Sequence, residues 1–461
     1  MGWEMDDTRK ADLFLLNRWY RTDSSNIIVV YSNINVEKKE LFSEFTNARS
    51  YTYYCARSAS EKEQQYQWAK ELRAKGSSIR EYPTYGEILR YIAKSSNKKP
   101  SILIIDNVEY ILKASKNFIG ILKEYTELVS ASSKVLVVLS SSNVAWIENG
   151  LVGTVGADSD YIDSFVKIRD LSFGELRKQF PYMSYEDALM TFSVIGGRTR
   201  LWNFFDKDLS FKGNICKHFL DRYGCLHREP TRIIEDNLRE TAVYYAILSQ
   251  MASGKLKLND IYKATGFPRS KIAVYIKNLI QLEIVEKVFS FEHSGHENML
   301  KGVYRICDPL VDFYFTFIYP NMSAYEQMSG EKFYDLFISS GLSSYVSKYF
   351  KKICMEYIER KNASGELPFD IDDQGEWVGK TGSIDIIAEN EYGYMLLGNC
   401  YWQHMVTYED YEWLLAVSEK AKLKGDYFYL FSSLGFDLKL QNKAASDRSI
   451  RLIELKTLIH G

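Results

Sequence analysis

Three short runs of consecutive aliphatic and β-branched residues restrict the fold of this chain more than any other feature. They are Asn26-Ile27-Ile28-Val29-Val30-Tyr31, Ser101-Ile102-Leu103-Ile104-Ile105-Asp106 and Lys134-Val135-Leu136-Val137-Val138-Leu139-Ser140. Each is too short for a typical helix and apolar at adjacent positions, the pattern of a strand buried on both faces. Ser50 to Cys55 reads as another strand. Between the runs the spacing turns helical. Val36, Leu41, Phe42 and Phe45 recur among charges, and Ser60 to Ala74, Tyr85 to Ala93 and Ile111 to Val129 read as helices. Strands alternating with helices predict an α/β domain with a parallel, doubly wound sheet. Ligands of such sheets bind at the carboxyl ends of the strands. Two ends carry chemistry: the strand ending at Tyr31 opens onto Ser32 through Lys39, and the strand ending at Ile105 opens onto Asp106-Asn107.

At 461 residues the chain has room for about three domains. Hydrophobic residues make up 46% and charged residues 26%, a globular rather than disordered composition. With 58 Lys+Arg against 60 Asp+Glu the net charge is -2, so nucleic acid can be met only by a local patch. No apolar run is long enough for a membrane helix, and the acidic start Met1-Gly2-Trp3-Glu4 is unlike a signal peptide. Six scattered cysteines without a CxxC pair predict free thiols in a reducing, cytoplasmic compartment.

The order of local motifs resembles the archaeal-type P-loop ATPases, a branch of the AAA/STAND group that carries a C-terminal domain of unknown function. The matches are Val30-Tyr31 with Glu40-Leu41 and Glu44-Phe45, Leu103-Ile104-Ile105-Asp106 with Tyr110-Ile111, and Leu139-Ser140-Ser141-Ser142. Further along come Leu171-Ser172-Phe173-Gly174-Glu175-Leu176, Val194-Ile195-Gly196-Gly197, Ile384-Asp385-Ile386, Gly398 with Cys400 and Trp402, and Leu430-Phe431-Ser432 before Gly435-Phe436. The resemblance implies a P-loop ATPase-like domain over residues 1–170, a helical lid over 171–238, a winged helix over 239–320 and a restriction-endonuclease-like α/β domain over 321–461.

It also implies ATP and Mg²⁺ as ligands, and here the sequence departs from the family. A working loop needs glycines to curl around phosphates, a lysine for the β/γ-phosphates and a hydroxyl for Mg²⁺. Ser32 stands in place of the first glycine and Glu37 in place of the glycine before the lysine. Lys38 keeps the lysine; Lys39 replaces the hydroxyl residue. A carboxylate at Glu37 would cost about 1 kcal/mol or more beside phosphates at an effective dielectric near 20. Asp106 survives at the second motif, but Asn107 takes the place of the family's catalytic glutamate, and an amide cannot accept a proton from the attacking water. The family's proline after Gly-Gly is Arg198 here.

The segment from Thr241 to Ile306 has the spacing of a winged helix: Thr241 to Met251, then Leu258 to Thr265 ending at Gly266, then a third helix from Pro268 to about Leu282 and two wing strands. Arg239 to Phe289 holds eight Lys/Arg against four acids. Arg269, Lys271 and Lys277 lie on or beside the third helix, the element that enters the major groove when such folds read DNA; internal packing is the other use of such a module. His293 and His296 read as a solvated loop, since no third metal ligand is near.

Beyond Glu366, Ser383 to Glu389, Tyr394 to Cys400, a helix from Tyr408 to Leu423 and a strand from Asp426 to Phe431 resemble the core of restriction endonucleases. That core needs an Asp, then Glu and Lys one residue apart on one strand face, to hold Mg²⁺ and orient water. Asp385 matches the Asp. Asn399 and Tyr401 occupy the Glu and Lys positions, and Lys351 stands where an upstream acid is expected. Asp370, Asp372, Asp373 and Glu376 read as a solvated acidic loop. The expectation is a non-hydrolysing, regulatory relative of these ATPases that contacts DNA or a protein partner, without a metal site. A weak ATP-binding ATPase using Lys38 and Asp106 is the alternative, and a DNA nuclease ranks last.

Overall fold

The computed structural model describes residues 7–32, 38–95, 99–131, 133–236, 238–291, 302–379 and 382–460. They divide into two compact units, 1–170 with 278–283, and 171–277 with 284–461.

The first unit is built on β1 (Asn26–Ser32), β2 (Ser50–Cys55), β3 (Ser101–Asp106), β4 (Val135–Ser141) and β5 (Ser164–Ile168). They form an all-parallel sheet in the order β2-β3-β4-β1-β5. The consecutive apolar runs are explained by the two-residue period of a strand. Ile28, Val30, Ile102, Ile104, Leu136 and Val138 enter one core, with Leu41, Phe42 and Phe45 from the helix Lys38–Thr46. Ile27, Val29, Leu103, Ile105, Val137 and Leu139 enter the opposite core, against Trp68, Ile88, Ile119 and Leu122. Every residue of β1 and β4 is buried, as expected of strands covered on both faces.

The expected single helix from Ile111 to Val129 is two helices, Glu109–Ala114 and Phe118–Ser130. Ser115 turns extended (φ -132, ψ 92) and its hydroxyl donates to Asn117 Oδ1 at 3.0 Å. Short polar side chains compete with the helix ladder in this way.

In the second unit, helices Phe173–Gln179 and Tyr185–Ile195 start at Ser172 and Ser184, whose hydroxyls accept from Glu175 N and Asp187 N. Three helices follow, Thr241–Ala252, Leu258–Thr265 and Arg269–Gln281, the last with its residues 278–281 in the first unit. Gly266 closes the middle one at φ +72, where a side chain would be strained. After them β6 (Val285–Val288) and β7 (Val303–Ile306) pair antiparallel. His293 and His296 lie outside the described residues.

The C-terminal sheet holds β8 (Asp373–Gly379), β9 (Gly382–Glu389), β10 (Met395–Tyr401), β11 (Tyr427–Ser432) and β12 (Ile450–Glu454), in the order β12-β11-β10-β9-β8. The β8-β9-β10 meander is antiparallel, and β10, β11 and β12 are parallel. The helix Tyr408–Ala421 supplies the β10–β11 crossover. The acidic segment expected as a loop is in part a strand: Asp373 and Glu376 belong to β8, and Glu376 is only 8% exposed. Phe291, just past β6, donates its N–H to Glu376 O at 2.7 Å and packs into the core of the C-terminal sheet.

Candidate functional sites at two sheet ends

Parallel strands bring Ser32, Asp106 and Ser141 to one end of the first sheet, because all three close their strands. Lys38 opens the next helix and is 6% exposed. Its ammonium donates to Ser141 O at 2.8 Å, to Ser142 Oγ at 2.7 Å and to Ser32 Oγ at 3.2 Å. An ammonium has three N–H donors, so Lys38 is fully satisfied by the protein itself. Burial, partly countered by Asp106 and Glu109, lowers its pKa to about 8. Lys39 points to solvent. Glu37 lies outside the described residues.

Asp106 accepts from Tyr53 OH at 3.0 Å and from the N–H of Asn107 at 3.0 Å. Asn107 sits in the left-handed region, φ +53. Its side-chain amide donates to Cys55 Sγ at 3.4 Å, so Asn107 is turned to the neighbouring strand β2. The sequence reading missed Glu109, which is 7% exposed. One of its carboxylate oxygens has no hydrogen-bond partner among the described residues, and burial raises its pKa. Its only signal in the sequence was its place, three residues after Asp106.

These residues test the fit of ATP and Mg²⁺. Lys38 opens the helix after β1 and Asp106 closes β3, and these two would be the groups to meet a phosphate and a metal-bound water. The arrangement offers no base beside them at Asn107.

Arg198 follows the Gly196-Gly197 pair. It is buried, and its guanidinium is ion-paired with buried Asp308, which also caps the helix Pro309–Phe313 through bonds of 3.0 Å to the N–H groups of Leu310 and Val311.

On the helix Arg269–Gln281, Ile272, Ile276 and Leu279 face inward at helical spacing. Arg269 and Lys277 are exposed. Lys271 is engaged: its ammonium lies 2.8 Å from Glu240 Oε2, which also accepts from Tyr275 OH at 2.5 Å. A groove of about 2020 Å³ places Arg269 and Asp385 on a common lining.

At the C-terminal sheet, Asp385 lies on β9 and Asn399 and Tyr401 on β10. Asn399 Oδ1 accepts from Asp385 N at 3.1 Å, and Asp385 Oδ2 accepts from Cys400 N at 3.0 Å. The other oxygen, Oδ1, lies 3.2 Å from the ammonium of Lys351, on the helix Ser339–Ala363. Lys351 is also bonded to Glu376 Oε2, and Arg305 Nη2 lies 3.0 Å from Glu376 Oε1. All four oxygens of the two carboxylates are therefore taken by N–H donors. Burial opposes the charge of Lys351, but Asp385 and Glu376 outweigh it and raise its pKa above the ordinary value. Burial likewise opposes ionisation of Glu376, and Lys351 and Arg305 outweigh it, holding its pKa low. A Mg²⁺ ion does not fit this donor set. Among the described residues no group of three His, Cys, Asp or Glu side chains is placed to hold a metal.

Residues 314–413 match the family described as archaea bacterial proteins of unknown function. An uncharacterized protein of Methanocaldococcus jannaschii is 24% identical over 402 residues, covering 83% of this chain and 84% of that protein. A Walker-type ATPase of Pyrococcus abyssi has a similar structure at 14% identity and a TM-score of 0.45, over 67% of this chain and 95% of that one. The ORC2 protein of Aeropyrum pernix, in its ADPNP–ADP complexes, reaches 0.42 at 11% identity, over 69% and 93%. The first sheet is the parallel α/β sheet that the sequence predicted, and residues 314–413 carry the match to a family of unknown function. No helix among the described residues is long and apolar enough to cross a membrane.

Proposed function

We propose that this chain is a non-hydrolysing relative of the archaeal-type P-loop ATPases that acts as a regulatory or interaction protein, contacting DNA or a protein partner. The observation that carries the reading is Asn107. General-base catalysis needs a group that can take the proton of the attacking water. At this position there is an amide already donating to Cys55. Lys38, held by Ser32, Ser141 and Ser142, keeps its place without a phosphate.

ATP binding without turnover is the second reading. It is favoured by Lys38, which opens the helix after β1, and by Asp106, which closes β3, with Mg²⁺ as the accompanying ion. Thermal shift with ATP–Mg²⁺ separates the two, since a ligand of the folded state raises the melting temperature by mass action. A reproducible rise that Lys38→Ala abolishes establishes the second reading; no rise leaves the nucleotide-free interaction role.

For the partner, the three helices and two strands of 239–320 are read as a winged helix, with Arg269 and Lys277 as the exposed cations that would meet a duplex. The domain beyond 321 is read as a nuclease-like platform that does not cut. Nuclease action has least support, because Asp385 and Glu376 are both neutralised by cationic side chains.

A further inference from the structure

We infer that the C-terminal sheet contains a cation site filled from within: the ammonium of Lys351 occupies the position between Asp385 and Glu376 that a divalent metal would otherwise take, so this domain is built to work without metal. The two carboxylates come from neighbouring antiparallel strands, β9 and β8, and approach one point from the same side of the sheet. Glu376 is 8% exposed. A buried carboxylate beside a second, half-buried one calls for a counter-charge, since the first is desolvated and the two repel each other. Lys351 supplies that charge from the helix Ser339–Ala363, bonding to one oxygen of each carboxylate, 3.2 Å from that of Asp385. Arg305 completes the set at 3.0 Å from the remaining oxygen of Glu376. Two cations face these two anions, and Glu286 stands 3.8 Å from Arg305 Nε at the edge of the set.

An ammonium can stand in for a metal as a charge but not as a Lewis acid. Its N–H bonds hold carboxylates, yet it has no vacant orbital with which to lower the pKa of a water. The site therefore ties helix, β8, β9 and the Arg305 strand together while being unable to activate a nucleophile. It also resists metal entry, because the replacing ion would have to expel a tethered cation. This inference is independent of whether the first unit binds nucleotide.

The test is Mn²⁺ binding to the full-length, nucleotide-free protein, read as loss of the free-ion electron paramagnetic resonance signal and as a shift in melting temperature. Wild type is expected to show neither. Lys351→Ala is expected to melt lower than wild type, to take up one Mn²⁺ per chain and to recover melting temperature in its presence. Lys351→Ala with Asp385→Asn should lose that ion. Lys351→Ala that is insoluble alone but folds when Mn²⁺ is supplied supports the same conclusion. Wild type binding one Mn²⁺ that Glu376→Gln removes would overturn it, as would a Lys351→Ala protein that Mn²⁺ neither binds nor rescues.

Discussion

The ammonium of Lys38 donates a 2.8 Å hydrogen bond to the main-chain oxygen of Ser141, the last residue of β4. The side chain that a P-loop protein keeps for phosphate is tied here to the sheet's own strand end. Its buried charge is a cost to the fold, and that cost depends on pH.

Lys38 has a folded pKa of about 8 against an ordinary value near 10.5. Between those values the unfolded chain holds a proton that the folded chain has released, so stability attributable to this group rises with pH across that window. A lowering of this size corresponds to roughly 3 kcal/mol. Lys38→Met should remove the rise. Urea melts of both proteins at pH 7.5 and pH 10 test it: wild type should gain on Lys38→Met as the pH is raised, and parallel behaviour would refute the buried-charge account.

Asn107 holds a left-handed backbone. Asn107→Gly should be nearly neutral, offsetting the lost Cys55 bond by conformational freedom, whereas Asn107→Val should destabilise by about 1–2 kcal/mol. Paired thermal melts of the two variants measure the difference.

Much of this was legible in the sequence. Consecutive apolar runs such as Ile102 to Ile105 declare doubly covered strands, because nothing else buries adjacent residues in so short a span. Asp385, Asn399 and Tyr401 were brought together because strand alternation is local. Glu376 was not legible: a segment rich in acids reads as solvated, and the cations that bury it come from Arg305 and Lys351 on elements distant in sequence. Glu109 escaped for a related reason, since only the left-handed turn at Asn107 and the start of the following helix place it in the interior.

Glu376 predicts a defined acid response. Its folded pKa is held below the ordinary value, so its contribution is fully present above about pH 4.5 and is lost as the pH falls through the lower folded value. Glu376→Gln leaves Lys351 and Arg305 under-compensated and should cost about 3 kcal/mol near neutrality. The gap from wild type should narrow below pH 4. Chemical denaturation across pH 3–7 checks both statements.

Arg198 and Asp308 form a buried ion pair. Arg198→Ala strands a buried carboxylate and should destabilise by about 3–5 kcal/mol. Asp308→Asn should be milder, because an amide oxygen can still cap the helix at Pro309. Differential scanning calorimetry of the two variants ranks them.

If the helix Arg269–Gln281 meets DNA, Arg269→Ala and Lys277→Ala should each reduce the salt slope of binding by about one. Lys271→Ala should change it less, since that ammonium is already paired with Glu240. Fluorescence anisotropy with a duplex over a salt series separates these outcomes, and a slope indifferent to all three variants removes this helix from the interface.

The most direct measurement is ATP turnover by the purified full-length protein with Mg²⁺, beside Asp106→Asn. The account predicts release of phosphate no faster than buffer alone, unchanged by the substitution. Turnover at about one per second or faster, silenced by Asp106→Asn, would contradict it.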